Sequence, residues 1–422
     1  MSQRRRDGAL VAYRAFSDVA GKGAFFLVTL VAARRLSQDA FGLFALGTTI
    51  GWIAAVTTDF GIQLHLARAV AQRPADALPL LRGWLRIRLW TAAVAIVAVS
   101  VGLAISSPSP EFSRAILLFT LVYVVNGLIE FLHYFYRGLA RSDVESTLTL
   151  VQRSVMLMLA VAVLWWRPGV TLLAGAMAVP ALMTFWYSAR LARRLAGSKG
   201  SIEPLHPSHS LGSVLPIGVG IVLSALYFRV DVFLVQAWQG TTAVALYNAV
   251  FRLVDALRLF PAAALAVALP VLCRSTSRHA VVTLSALLTF GAIAVSTGLW
   301  VGAGWLVPLL YGARYVDAVP AFRVLLFSFP LMSLNYALTH QLIGWHGHRA
   351  YATMCAAALI FNVALNTRLI PANGIVGAAW ATVATELVIT CGCLVALGRI
   401  ANSTNLSNLS NLPNPSNPMV LS

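Results

Sequence analysis

The chain has 422 residues, of which 59% are hydrophobic and only 11% are charged. Soluble domains carry about 25% charged residues, so this chain has too little charge to coat a surface that faces water. The composition excludes a soluble enzyme, a disordered protein and a disulfide scaffold. It predicts an all-α polytopic membrane protein.

The net charge is +17, from 31 Lys and Arg and 14 Asp and Glu residues. In a soluble protein this excess would indicate nucleic acid, but here most basic residues lie between apolar runs, where they set the orientation in the membrane. Cys391 and Cys393 form a Cys-x-Cys motif that offers too few ligands for a metal site. We therefore expect no nucleic-acid partner, no metal and no other cofactor.

A helix needs about 20 apolar residues to cross the hydrocarbon core of a bilayer. Four runs without Asp, Glu, Lys or Arg meet this need, at residues 89–110, 168–189, 204–228 and 279–313. Together with apolar runs that contain a few charges, the sequence predicts twelve spans, at residues 11–33, 42–67, 89–106, 114–136, 148–166, 170–190, 211–237, 244–270, 281–304, 318–344, 350–370 and 375–398.

The orientation follows from the loop cations, because Lys and Arg are concentrated in cytoplasmic loops. With the N-terminus inside, the inner segments hold nineteen Lys and Arg residues and the outer segments hold six. The sequence therefore predicts that both termini are cytoplasmic.

Two weak internal correspondences indicate a repeat. Residues 41–46 resemble residues 244–249, and Arg114 and Asn126 correspond to Arg323 and Asn335 at an offset of 209. With six spans in each half, the halves would be related by a pseudo-twofold axis along the membrane normal. Chance matching in Ala-, Leu- and Val-rich sequence is the alternative.

This organisation predicts three parts. Residues 1–200 would form an N-lobe with helices 1–6, and residues 201–400 would form a C-lobe with helices 7–12. The segment 197–210, with two prolines, would link them. Residues 401–422 are rich in Asn, Ser and Pro and are predicted to be a disordered, low-complexity cytoplasmic tail.

Three spans carry two or three charges close together, and a charge at mid-bilayer costs about 2.5–3.5 kcal/mol on insertion scales unless it faces a cavity or a partner. In span 1 the charges lie at i, i+4 and i+8, which is one stripe of a helix. The three spans hold five cations and three carboxylates, and these are Arg14, Asp18 and Lys22, then Arg229 and Asp231, then Arg252, Asp255 and Arg258. A hydrated cationic cavity between the halves would explain them.

The alternative is that each cation is neutralised by a neighbour on its own helix. The candidate pairs are Arg14 with Asp18, Arg229 with Asp231, and Arg252 with Asp255. Such pairing would still leave Lys22 and Arg258 unexplained.

Other polar residues in the spans have two open interpretations. They could bind a coupling ion or proton, or they could form hydrogen bonds between helices. The residues are Asp59, Glu130, His133, His340 and Glu386. The same choice between coupling and pairing applies to Asp18, Asp231 and Asp255. Asp143 and Glu145 are predicted to lie on a solvated face of a short inner loop.

Four stretches together resemble one family, and they lie at residues 41–71, 228–272, 311–326 and 362–388. The most specific pattern is Arg-x-Asp followed by Tyr, Arg and Pro, at Arg229, Asp231, Tyr247, Arg252 and Pro261. From about residue 10 to 400 the chain is similar to the polysaccharide-biosynthesis, O-antigen-unit flippases. These belong to the multidrug/oligosaccharidyl-lipid/polysaccharide exporter superfamily. Twelve spans argue against the related lipid II flippases, which usually have fourteen.

The resemblance implies two six-helix lobes that move an oligosaccharide on a polyprenyl diphosphate from the inner to the outer leaflet of a bacterial cytoplasmic membrane. Its implied partners are the lipid-linked oligosaccharide, membrane lipid and the polysaccharide polymerase machinery. Cationic positions of the family's cavity map onto Arg14, Lys22, Arg229, Arg252 and Arg258. No catalytic residues are expected.

Two other functions stay open. An integral-membrane glycosyltransferase or polysaccharide polymerase would need positioned carboxylates, whereas the predicted outer loops are short and carry single acids such as Asp39, Glu111 and Asp317. A small-molecule or cation exporter of the same superfamily would favour an acidic cavity, whereas the sequence predicts a basic one.

Overall fold

Every regular element in the described part of the chain is a helix. The computed structural model describes residues 3–106, 108–197, 211–261, 278–344 and 348–410. The helices are α1 (Gln3–Arg35), α2 (Gln38–Asp59), α3 (Ile62–Gln72), α4 (Ala77–Ser106), α5 (Pro110–Gly138), α6 (Ser142–Trp166), α7 (Val170–Leu195), α8 (Leu211–Leu257), α9 (Arg278–Tyr311), α10 (Val319–Leu325), α11 (Ser328–Gly344) and α12 (His348–Ser410).

Serine caps start two of the helices where the sequence predicted loops. The Ser37 hydroxyl accepts a hydrogen bond from the Ala40 amide at 3.2 Å, at the start of α2. The Ser109 hydroxyl accepts one from the Phe112 amide at 3.3 Å, and Pro110 takes the first position of α5. A cap of this kind satisfies one of the four amides that a helix leaves free at its N-terminus.

The second predicted span, residues 42–67, is broken rather than continuous. Phe60 and Gly61 have φ angles of 48° and 80°, which end α2 and begin α3. The Asp59 carboxylate fixes the break, because it accepts hydrogen bonds from the amides of Gly61 at 3.1 Å and Gln63 at 3.3 Å. Asp59 therefore has a local structural role.

Helix α8 is a hairpin of two arms. Gly240 is non-helical, with φ 78° and ψ −177°, and the contacts around it are antiparallel. The Asp231 carboxylate meets the Tyr247 hydroxyl, and the ring centroids of Phe228 and Phe251 lie 5.2 Å apart. The predicted break between residues 237 and 244 is confirmed.

Helix α12 turns back on itself in the same way at Gly374, with φ 56° and ψ −138°. Asn362 donates to the Thr385 hydroxyl at 3.0 Å across the two arms. The arms approach so closely at Gly377 that an added Cβ would lie 2.1 Å from the Leu369 carbonyl oxygen. The predicted break between residues 370 and 375 is also confirmed.

The number of spans agrees with the sequence once these hairpins are recognised. In the described residues, nine helices are long and apolar enough to cross a membrane, or ten with the pair Ala313–Leu325 and Ser328–Leu342, which is bent by 48°. Two of them, Gly218–Pro261 and Arg349–Arg399, have 44 and 51 residues, about twice the length that one crossing needs. Counting their arms separately gives twelve, six in α1–α7 and six in α8–α12.

The end of the molecule away from the N-terminus is tightly packed. Phe41 meets Tyr315 with ring centroids 6.0 Å apart, and Phe44 meets Phe119 at 5.4 Å. Helix α2 touches the turn of α8, since an added Cβ on Gly42 would lie 2.0 Å from the Thr241 carbonyl oxygen. This packing seals one face between α1–α7 and α8–α12.

The C-terminal segment differs from the predicted disordered tail. The backbone is helical to Ser410, ten residues past the predicted start of disorder. A helix can continue here because the first proline of the segment is Pro413, and proline is the residue that stops a helix most strongly. Residues 411–422 and the predicted linker residues 198–210 lie outside the described residues.

Candidate functional site

A cavity of about 930 Å³ lies between α1–α7 and α8–α12. Its walls come from the middle of α1, the end of α2, α4, the second half of α5, the start of α6 and both arms of α8. On α1 the lining runs from Asp18 to Thr29 and stops before the packed end of the molecule. The cavity therefore lies toward the face that carries the N-terminus.

The lining is charged and has a cationic surplus. Seven cations and five carboxylates line it, which leaves two unbalanced positive charges. The cations are Lys22, Arg88, Arg137, Arg153, Arg229, Arg252 and Arg258, and the carboxylates are Asp18, Asp59, Glu130, Glu145 and Asp255. Fixed charges at membrane depth are tolerated when they face a water-filled cavity or a partner, so this composition indicates a hydrated space.

Some of these charges are paired. Asp255 lies between Arg252 at 3.8 Å and Arg258 at 3.4 Å. Glu145 accepts two hydrogen bonds from Arg137, at 2.8 and 2.5 Å. These contacts leave Asp255 with two cations and Glu145 with a bidentate partner, the strongest form of the arginine–carboxylate pair.

A third pair is buried. The side chain of Arg88 is 1% exposed, and its Nε lies 3.9 Å from the Asp59 carboxylate. Arg88 also donates to the Gly127 carbonyl at 3.2 Å. A buried arginine needs such partners because an uncompensated buried charge is strongly destabilising.

Three other cations have no carboxylate within 4.0 Å in the described part of the chain, and they are Lys22, Arg153 and Arg229. We call these three and Arg252, which shares Asp255 with Arg258, the cation cluster. The cluster draws on both groups of helices, because α1 and α6 supply two members and α8 supplies the other two.

Tyr123 of α5 lines the same cavity as the cation cluster. Its ring meets Phe25 edge-on at 6.5 Å, and the Arg252 guanidinium lies 5.3 Å from the Phe25 ring centroid. Phe25 of α1 thus contacts both Tyr123 of α5 and Arg252 of α8, which links the two groups of helices at the cavity.

The geometry of α8 explains why Arg229 is not paired with the nearby carboxylate of Asp231. It lies over the rings of Phe228 and Phe251, at 5.4 and 4.4 Å from their centroids. Asp231 is two residues away, and side chains at i and i+2 do not face each other on a helix. Asp231 instead accepts a hydrogen bond from the Tyr247 hydroxyl. Among the described residues, the Arg229 guanidinium has these two cation–π contacts and no carboxylate within 4.0 Å.

The structure places nine of the eleven predicted site residues on the cavity wall. Arg14 and Asp231 are the exceptions: Arg14 lies 3.8 Å from Glu145, and Asp231 is buried within the α8 hairpin. Of the three predicted neighbour pairs, only Arg252 with Asp255 is present. The pairs of Arg14 with Asp18 and of Arg229 with Asp231 are wrong in the described structure.

The structure separates the polar residues that could either bind a coupling ion or proton or form hydrogen bonds between helices. Glu386 accepts a hydrogen bond from Asn335 at 2.8 Å and so joins α12 to α11. His340 is exposed and contacts the Tyr336 carbonyl of its own helix at 2.7 Å. Glu130 and His133 line the cavity, and neither makes a side-chain hydrogen bond in the described residues.

Four charged residues of the cavity wall were not predicted as site residues from the sequence. Arg88, Arg137 and Arg153 were assigned to inner loops, although Arg153 lies inside the predicted span 148–166 and the other two flank spans. Without these three, the inner segments still hold sixteen Lys and Arg residues against six. The prediction that Glu145 is solvated was also wrong, because Glu145 is 2% exposed and paired with Arg137.

The fold is that of transporters of the MOP superfamily. An inward-facing multidrug resistance MATE family transporter of that superfamily matches with a TM-score of 0.71 at 15% identity, over 91% of this chain and 96% of that chain. The lipid II flippase MurJ in an inward closed conformation matches with a TM-score of 0.73 at 11% identity, over 95% and 93%.

The family of this chain follows from a comparison of its sequence with known families. The model of the polysaccharide biosynthesis protein family matches residues 9–276, so this chain belongs to that family. A curated relative is the EPS I polysaccharide export inner membrane protein EpsE of Ralstonia nicotianae. It is 26% identical over 359 residues, which cover 77% of this chain and 78% of the relative.

Proposed function

We propose that this protein is a flippase that moves polyprenyl-diphosphate-linked oligosaccharide units from the inner to the outer leaflet of a bacterial cytoplasmic membrane. The units would feed the assembly of a surface polysaccharide by polymerase machinery on the outer side. The two lobes, residues 1–200 and 201–400, would expose the cavity to each side in turn, with both termini in the cytoplasm.

The cation cluster is the observation that carries this proposal. A diphosphate is a small, strongly anionic group, and arginine binds phosphate oxygens through two parallel hydrogen bonds. Lys22, Arg153 and Arg229 have no carboxylate within 4.0 Å in the described residues, so an anion would not have to displace a protein partner from them. Because the cluster draws on α1, α6 and α8, a bound diphosphate would contact both groups of helices.

A hydrated cavity removes the main barrier to flipping. The hydrocarbon core is about 30 Å thick, and a hydroxyl moved into an apolar medium without a hydrogen-bond partner costs about 4–8 kcal/mol. A sugar head group carries several hydroxyls. Inside a polar cavity of about 930 Å³ it keeps water or protein partners, while its lipid tail stays in the bilayer.

The comparisons support the same process. Membership of the polysaccharide biosynthesis protein family supports a role in that process, and the relative from Ralstonia nicotianae is named as a polysaccharide export protein of the inner membrane. A carrier of organic cations would be served better by an acidic cavity, whereas the lining here has two more cations than carboxylates.

The experiment is to delete the gene and determine where lipid-linked oligosaccharide accumulates. A flippase predicts complete units on the inner leaflet, restored to normal by the wild-type gene. Incomplete units would instead indicate an enzyme of unit assembly. Complete units on the outer leaflet would place the missing step after transport, and either result would overturn the proposal.

A further inference from the structure

On the sealed face, two arginines join the C-terminal ends of α1 and α9 by donating hydrogen bonds to backbone carbonyls. At the end of α1, Arg34 donates through Nε to the Leu310 carbonyl of α9 at 2.7 Å, and through Nη2 to the Leu309 carbonyl. Just past the end of α9, Arg314 donates through Nη2 to the Ala33 carbonyl of α1. Each helix thus receives a guanidinium that is anchored beside the end of the other.

The exchange satisfies groups that both helices leave open. The last four carbonyls of a helix have no partner within it, and the helix dipole places partial negative charge there. Leu309 and Leu310 are in the last turn of α9, and Ala33 is in the last turn of α1. A cation at such a position makes a charge-assisted hydrogen bond and also complements the dipole.

Other polar contacts join the same surfaces. The Thr242 hydroxyl donates to the Asp39 carboxylate, next to the turn of α8. Gln38 donates to the Arg314 carbonyl at 2.7 Å, and the Tyr315 hydroxyl donates to the Ala33 carbonyl at 3.3 Å. All of these contacts connect α1–α7 to α8–α12 on the face opposite the N-terminus.

We infer that Arg34, Arg314 and the Asp39–Thr242 contact form a latch that holds this face closed, and that the latch must open in each transport cycle. The inference rests on the alternating access of the proposed function but not on the identity of the substrate. In the proposed orientation the latch is on the outer side, so the described state is the one that takes up its substrate from the inside.

The chemistry of the latch suits a contact that opens and closes. Arg34, Asp39, Thr242 and Arg314 are exposed, so water can replace each hydrogen bond when the helices part. The aromatic packing beneath, such as Phe41 on Tyr315, is apolar, so it helps to hold this face closed without directional hydrogen bonds. Hydrogen bonds from charged donors are stronger than those between neutral groups, so the two arginines are the part of the contact that a substitution can weaken.

The test measures how often the sealed face opens in the purified full-length protein without substrate. The four native cysteines are replaced, and Ala33→Cys, a fully buried position within the latch, reports opening by its rate of maleimide labelling. We expect Arg34→Ala and Arg314→Ala each to speed labelling about tenfold, the change produced by losing about 1.4 kcal/mol of closure. Equal rates in wild type and both variants would overturn the latch.

The chain offers a matched control. Arg35 is the next residue, but its guanidinium lies 3.7 Å from the ring centroid of Trp165 on α6, within α1–α7. Arg35→Ala should leave the labelling of Cys at position 33 unchanged. A second reporter, Ala174→Cys in the buried part of α7, should label at the same slow rate in every variant. Faster labelling there would mean general loosening and would count against the latch.

A cross-link gives the opposite perturbation. Asp39→Cys with Thr242→Cys should form a disulfide, stop labelling at position 33 and block export of surface polysaccharide until a reductant is added. Export that continues with the cross-link formed would show that this face does not need to open. The labelling rates do not depend on the cargo, so a flippase of another substrate would still show the expected rates, whereas the gene-deletion experiment would then give a negative result.

Discussion

The cation cluster shows how the role of one side chain depends on its neighbours. Arg14 and Arg229 are both arginines in predicted spans, yet Arg14 lies 3.8 Å from Glu145, whereas Arg229 lies over aromatic rings and has no carboxylate within 4.0 Å among the described residues. Since a carboxylate partner neutralises a cation and occupies its donors, only the second kind of arginine is available to an anion. The difference predicts different effects of removing them.

We expect Arg229→Ala to weaken the binding of inorganic pyrophosphate to the purified protein about tenfold or more, because a hydrogen bond to a charged group contributes about 1.5–3 kcal/mol. Arg14→Ala should change it much less, because Arg14 is not on the cavity wall and already lies 3.8 Å from the Glu145 carboxylate. Isothermal titration calorimetry measures both. Equal losses in the two variants would mean that net charge alone, and not the cluster, attracts the anion.

The lysine of the cluster extends this prediction to cells. Lys22 is exposed to the cavity and has no carboxylate within 4.0 Å in the described residues. Lys22→Ala should reduce surface polysaccharide while the protein is inserted at normal levels, and Lys22→Arg should retain most export because the positive charge remains. Unchanged export in Lys22→Ala would argue that α1 contributes no contact to the substrate.

At the scale of the element, two glycines create the hairpins that give the second group of helices its six spans. Gly240 has φ 78° and ψ −177°, and no atom lies within 4 Å of an added Cβ. The requirement for glycine at this position therefore comes from the backbone and not from space. A side chain in this region of φ/ψ space is strained by about 1–3 kcal/mol.

We expect Gly240→Ala to lower the melting temperature in detergent, in keeping with a strain of about 1–3 kcal/mol. Gly298 is the matched control, because it lies inside α9 with helical backbone and with no atom within 4 Å of an added Cβ. Gly298→Ala should be neutral or stabilising by up to about 1 kcal/mol. If both variants behaved alike, the turn at Gly240 would not be constrained as described.

At the scale of the whole molecule, an even number of spans fixes the relation between the two termini. Ten spans with two of them doubled give twelve crossings of the described chain, so both ends should lie on one side. Reporter fusions that are active only in the cytoplasm should be active at both termini, because the loop cations favour that side. A periplasmic C-terminus would remove one span from the count.

The C-terminal segment allows a second prediction at this scale. The helix α12 runs to Ser410, past the last residue of the span Arg349–Arg399. Removing residues 411–422 should leave transport and protein level unchanged, because the spans and the cavity wall of the described chain all lie before residue 400. Loss of transport at normal protein level would show that the tail takes part in the function.

The sequence alone determined the class of protein and the twelve spans, and it predicted an intramembrane cationic site. These are local properties, since hydropathy and charge are read from consecutive residues. It also located the breaks near Gly240 and Gly374, where the apolar runs are interrupted. Composition and spacing sufficed because a bilayer imposes the same length and polarity on every helix that crosses it.

Only the tertiary structure decided which cations stay without a carboxylate and which face of the molecule is closed. Glu145 binds Arg137 rather than solvent, Arg88 finds Asp59, and Arg34 reaches carbonyls some 275 residues away along the chain. Neutralisation acts over about 4 Å between side chains that packing brings together. The sequence provides the charges, but their pairing depends on how the helices assemble.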